Sequence, residues 1–255
     1  MIIRAEQMRV LRKAEEDAFT LEMADHLAAY APRLYELRGR DVFLRVAVAG
    51  RERAEALGFT FRGPVRMILE SMVTFGHEFY SDPQLPLIRR AMQEANPPDE
   101  MVRAELVFER IQEYWKTVVG LRGEYAIEAL ERVQTLAGAG AAPDSTETLL
   151  KALQWAYPLR FDHAGEAAMR QMVDRAGEIS AQHGLSNSAE GVTLLSALMF
   201  GFGHGVLNDP LYPWVSSALN DPLIPGASER FARLRQRAIV YMGHVLEHWR
   251  KVYAR

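Results

Sequence analysis

The chain has 255 residues, enough for one large domain or two small ones. Hydrophobic residues make up 49% and charged residues 25%, which excludes wholesale disorder, and a net charge of −3 gives no electrostatic basis for binding nucleic acid or an anionic membrane. Cysteine is absent, which excludes disulfides, thiolate zinc sites and cysteine nucleophiles and suits a cytoplasmic location. In chain order, residues 1–19 carry charges throughout and lack the apolar core of a signal peptide. Phe19, Met23, Leu27 and Tyr30 then predict a helical stripe, and residues 64–75 predict a second helix that runs into Gly76-His77. Met101, Ala104, Phe108, Ile111, Trp115 and Val118 form a further stripe at spacings of three and four. Residues 135–148, rich in Ala and Gly with one Pro, read as a linker, and Asp144 with Glu147 predicts a capping-box start for the next helix. Residues 191–208 contain no Asp, Glu, Lys or Arg, so they approach the shortest bilayer-spanning length. Phe231, Leu234, Ala238, Tyr241, Val245, Trp249 and Val252 share one side of the last helix. No alternating strand pattern is evident, so the expected fold is all-α, with about four or five helices in each half.

Residues 76–86 read GHEFYSDPQLP and residues 203–213 read GHGVLNDPLYP. The two histidines lie 127 positions apart (204 − 77), and the same offset pairs Val65 with Val192, Met72 with Met199, Phe75 with Phe202, Pro98 with Pro225, and Tyr114 with Tyr241. Upstream the offset is 126, pairing Pro32 with Pro158 and Gly58 with Gly184. We therefore expect an internal duplication: a first helical repeat over 1–136, a linker over 137–145 and a second repeat over 146–255, packed together. The first copy of the charge-free stretch carries Arg66, Glu70 and Glu78, so both copies are expected to be buried in protein rather than in membrane.

The repeated corner consists of Gly76, His77, Asp82, Pro83 and Pro86, matched by Gly203, His204, Asp209, Pro210 and Pro213. It reads as a helix stop, a turn and a helix restart, with His capping free carbonyls and Asp-Pro starting the next helix. A third Asp-Pro-Leu at Asp221–Leu223 reads as the same punctuation. The competing reading, a His–Asp metal or acid–base pair, has too few ligands in each copy. His244, Glu247 and His248 follow the H-x-x-E-H order of inverted zinc peptidases, but the motif ends near the C-terminus, and the first copy has Thr117 and Leu121 at the histidine positions. No catalytic residue and no cofactor is expected. Leu211, Tyr212 and Trp214 form an apolar corner that could anchor a protein partner or close the core.

Gln7 and Met8, then Phe19, Met23, His26 and Leu27, then Ala54 and Gly58, then Met72, Phe75 and Gly76, and finally Phe79, Asp82, Pro83, Leu85 and Pro86 follow one pattern. In these residues the first half resembles a family of small bacterial helical proteins encoded beside type VI secretion effector modules. The chain departs from it at Leu87, where the family has Trp; the second copy has Trp214. The resemblance implies a non-enzymatic adaptor or chaperone that binds a toxin, effector or spike component encoded nearby, without nucleic acid or a membrane span. An immunity protein that neutralises a cognate toxin is the alternative. A metal-dependent hydrolase using the HVLEH helix is another.

Overall fold

In the computed structural model, residues 5–93, 99–139, 142–185, 189–224 and 226–253 are described. They are all-helical, with thirteen α-helices and no strand among them. In chain order these are α1 (Ala5–Tyr30), α2 (Pro32–Arg38), α3 (Arg40–Ala56), α4 (Arg62–Phe75), α5 (Pro86–Gln93) and α6 (Glu100–Tyr114), which runs into a π turn at Trp115–Val119. They continue as α7 (Glu124–Gly138), α8 (Thr146–Ala156), α9 (Pro158–Ala164), α10 (Glu166–Gln182), α11 (Ala189–Phe202), α12 (Pro213–Asn220) and α13 (Ala227–Tyr253). The count exceeds the four or five per half expected, because the short helices α2, α5, α9 and α12 sit in segments that the periodicity left as corners. All four begin at a proline, which fixes φ where an amide is not needed.

One apolar core runs through both halves, from Leu27, Phe43 and Ile68 to Leu153, Met169 and Phe200. The charge-free stretch is explained by α11, which is buried on nearly every side: Leu194, Leu195, Ala197, Leu198, Met199 and Phe200 are all inside. No described helix is long and apolar enough to cross a membrane.

The linker prediction starts too early. Leu136 and Ala137 are buried in α7, which ends only at Gly138. Residues 140 and 141 lie outside the described residues, as do Pro98 and Pro225. Nor does α7 belong with the first half: it packs against α11 and α13. Its C-terminal carbonyls, on Gly138 and Ala139, accept hydrogen bonds from Arg235 of α13 at 2.6 and 3.0 Å. The N-cap of α8 is Ser145, whose hydroxyl accepts from the amide of Thr148 at 3.2 Å. Asp144 instead accepts from the Thr148 hydroxyl, and Glu147 pairs with Arg170, so the expected Asp–Glu capping box does not form.

The stripe from Met101 to Val118 is only partly core. Ala104 and Val118 are buried, whereas Met101 and Phe108 are each 50% exposed. In the last helix Leu234 and Ala238 are buried as expected, and Met242 and Leu246, off the predicted stripe, are buried too. The reason is that α13 is covered on two flanks, by α7 and by α12.

Candidate functional site

The repeated corners meet each other. Gly76 ends α4 at φ 100° and Gly203 follows α11 at φ 95°. A Cβ on Gly76 would stand 2.6 Å from the Phe202 carbonyl oxygen, and one on Gly203 would stand 2.5 Å from that of Phe75. Only glycine permits both the backbone conformation and this approach of two helix ends.

Beyond each glycine the histidine amide crosses to the other half. The backbone N–H of His77 donates to Asp209 Oδ2 at 2.8 Å, and that of His204 donates to Asp82 Oδ2 at 2.9 Å. Each aspartate also closes its own turn: Asp82 Oδ1 accepts from the Gln84 amide at 2.9 Å, and Asp209 Oδ1 from the Leu211 amide at 2.8 Å. So Asp82 and Asp209 cap no helix of their own. The restart falls to Pro86 and Pro213, the first residues of α5 and α12, while Pro83 and Pro210 sit inside the turns. The histidine rings cap no carbonyl either; Gly76 and Gly203 close the helix ends with their own amides, onto Met72 and Met199. Asp221 makes the same turn with the Leu223 amide at 3.0 Å, as its sequence suggests.

The two carboxylates differ in their surroundings. Asp82 gains a further donor, the side-chain amide of Gln84 at 3.2 Å, which also reaches the Met199 carbonyl. At the matching position the second copy has Leu211, which offers no donor. Burial therefore pushes the Asp209 carboxyl up to about 6, against the opposing pull of its two amide donors and of Arg38. Burial also holds His77 below the usual imidazole range.

Ser81, His204 and Asp82 stand in the order of a nucleophile, base and orienting acid. Ser81 Oγ is 3.4 Å from His204 Nε2, and His204 Nδ1 is 3.4 Å from Asp82 Oδ2. The geometry does not serve that chemistry. The Ser81 hydroxyl donates to the Glu78 carbonyl, and the His204 Nδ1 to Asp82 contact is misaligned for a hydrogen bond.

The short helices lock the halves together from the sides. Arg160 of α9 donates to the Tyr114 hydroxyl at 2.9 Å and to the Phe200 carbonyl, and it lies over the Tyr157 ring. The Tyr157 hydroxyl donates to Val118 of the π turn at 2.8 Å. Arg38 of α2 lies 4.6 Å from the ring centre of Tyr241, the position matched to Tyr114. These arginines had no signal in the motif reading; they sit in short helices that the periodicity did not resolve.

The metal reading gains no third ligand. Glu247 pairs with Lys251 at 2.7 Å, His248 contacts Arg33, and His244 is exposed on the outer face of α13. No group of three potential ligands occurs among the described residues. Of the apolar corner, Leu211 is buried and available to no partner, and Tyr212 is packed between Phe202 and Tyr241. Trp214 differs. It borders an open pocket of about 470 Å³ with Arg233, Arg237, Val240, Tyr241 and His244, and its indole N–H meets no acceptor. No family model, curated protein or solved structure matches this chain.

Proposed function

We propose that this chain is an internally duplicated, non-enzymatic protein-binding accessory, an adaptor or chaperone serving a bacterial secreted-effector module of the type VI kind. Four helix pairs support the duplication. α2 and α9 have 7 residues each, α3 and α10 have 17, α4 and α11 have 14, and α5 and α12 have 8. Their starts are offset by 126 or 127 positions (158 − 32, 166 − 40, 189 − 62, 213 − 86). The reciprocal amide-to-aspartate bonds of the two corners are what two copies of one motif make when they face each other.

The observation that carries the binding reading is Trp214. An aromatic ring at the edge of an open pocket, flanked by Val240, which is 49% exposed, and by arginines, has the composition of an interface anchor. The repeated corners support the same reading from the other side, because both aspartate carboxylates are occupied by backbone amides of the opposite half. The resemblance of the first half supplies the secretion context.

The test is co-expression with the products of neighbouring genes, followed by size-exclusion chromatography. A stable complex is expected with one neighbour, and Trp214→Ala, shown by circular dichroism to be folded, is expected to weaken it by about 2 kcal/mol or more. Absence of any co-eluting neighbour removes the accessory reading. A complex insensitive to the substitution removes Trp214 from the interface.

A further inference from the structure

Arg237 of α13 is held beside Trp214 by one end only. Its Nη1 donates to the Trp214 carbonyl and to the Ser217 hydroxyl of α12, both at 3.4 Å. Among the described residues its Nε and Nη2 make no hydrogen bond, and neither is buried. These two nitrogens form one edge of the planar guanidinium, whose parallel N–H bonds match the two oxygens of a carboxylate. The neighbouring arginines of α13 are occupied. Arg230 donates to the carbonyls of Ile224 and His183, Arg233 pairs with Asp221 at 2.8 Å, and Arg235 donates to the carbonyls of Gly138 and Ala139.

The first copy identifies what Arg237 lacks. At the offset of 127, Arg237 falls on Arg110 of α6 (237 − 110 = 127). Arg110 donates to Glu113, three residues on, at 2.8 Å. Glu113 in turn falls on Val240 (240 − 113 = 127), so the second copy keeps the arginine and has an apolar side chain in place of its carboxylate. Glu109 likewise falls on Gln236 (236 − 109 = 127). Two acids of this face are therefore absent from the second copy, although the whole chain has 33 acidic against 30 basic residues. The open pocket of about 470 Å³ at this place is bordered by Arg233, Gln236, Arg237 and His244, with Trp214 and Val240 as its apolar wall, and by no carboxylate.

We propose that the Trp214 pocket takes an acidic segment of the partner protein. A side-chain carboxylate of the partner meets the Nε–Nη2 edge of Arg237, as Glu113 meets Arg110, and an adjoining apolar side chain of the partner lies on Trp214 and Val240. The inference deepens the binding reading above and rests on it and on the duplication. Because Nη1 already fixes the guanidinium, little side-chain freedom is lost when the carboxylate arrives. The apolar wall excludes water from the pair and so strengthens it. The same pocket discriminates, since a lysine or arginine of a wrong partner would meet Arg233 and Arg237.

The test uses the intact complex with the neighbouring gene product. Arg237→Gln removes the charge. Val240→Glu restores the acid of the first copy and competes from within for the guanidinium. Both positions lie on the outer face of α13, and circular dichroism checks that each variant is folded. Each is expected to weaken the complex by about tenfold or more. Rising salt is expected to weaken the wild-type complex more steeply than the Arg237→Gln complex. In the partner, Asp and Glu residues are then changed one at a time to Asn and Gln. One such change is expected to weaken binding to wild type by a similar factor and to leave binding to Arg237→Gln unaltered. A complex indifferent to either substitution, or one in which no partner carboxylate couples to Arg237, overturns this inference; if Trp214→Ala still weakens that complex, the binding reading stands. No complex with any neighbour overturns the binding reading and this inference with it.

Discussion

At Asp209, two backbone amides and a buried setting pull a carboxyl in opposite directions. Burial wins, and the group titrates near 6 rather than at the 3.8 of a free aspartate. Between those values the folded chain binds more protons at this position than the unfolded chain does, so this group's contribution to stability falls as pH rises from about 4 to 6 and is flat above. Asp209→Asn removes the titration. The stability difference between wild type and this variant, from urea unfolding across pH 4–7, is expected to shift against wild type by about 2–3 kcal/mol over that window. A pH-independent difference would show that Asp209 titrates alike in both states. The residues of this site were legible in the sequence, since the repetition itself singled out Gly76, His77, Asp82 and their partners. Their partnership was not. A local motif suggests local caps, whereas each aspartate reaches 122 or 132 positions along the chain, to the other copy's amide. The sequence shows a donor and an acceptor and cannot show which copy of each will meet.

Among the elements, α7 separates what the periodicity could reveal from what it could not. Its existence is read easily from spacing, but its position is decided by tertiary space. Gly201 and Gly243 leave room where the first half has Thr74 and Lys116. The consequence is visible in composition: α11, covered by α7, has no charge after Glu190, whereas α4 keeps Arg66 and Glu70, which meet His26 of α1. The stripe of α6 looked like core for the same reason that α13 is core, and it is half exposed because nothing from its own described chain lies over it. Val133→Asp would place an unpaired carboxylate between α7 and α11 at a side chain that is 1% exposed. It is expected to cost about 3–5 kcal/mol, read as a lowered denaturant midpoint. A loss under 1 kcal/mol would mean that α7 does not occupy the groove.

Across the whole molecule, the halves are joined by exchange rather than by apposition. Two glycines bring the helix ends together, two aspartates cross, and α2 and α9 each place an arginine against the tyrosine of the opposite half. This clasp is built from the backbone amides of the two histidines and the carboxylates of the two aspartates that the sequence singled out. Amide hydrogen exchange tests the clasp most directly. A lost hydrogen bond to a carboxylate is worth about 1.5–3 kcal/mol, or roughly 10–100-fold in local exchange. After normalisation to core amides, Asp82→Ala is expected to accelerate exchange at the His204 amide and spare that of His77, and Asp209→Ala to do the reverse. If Asp82→Ala leaves His204 protected, or if each substitution loosens only the histidine of its own corner, the corners do not hold one another and the account of the repeated motif is wrong.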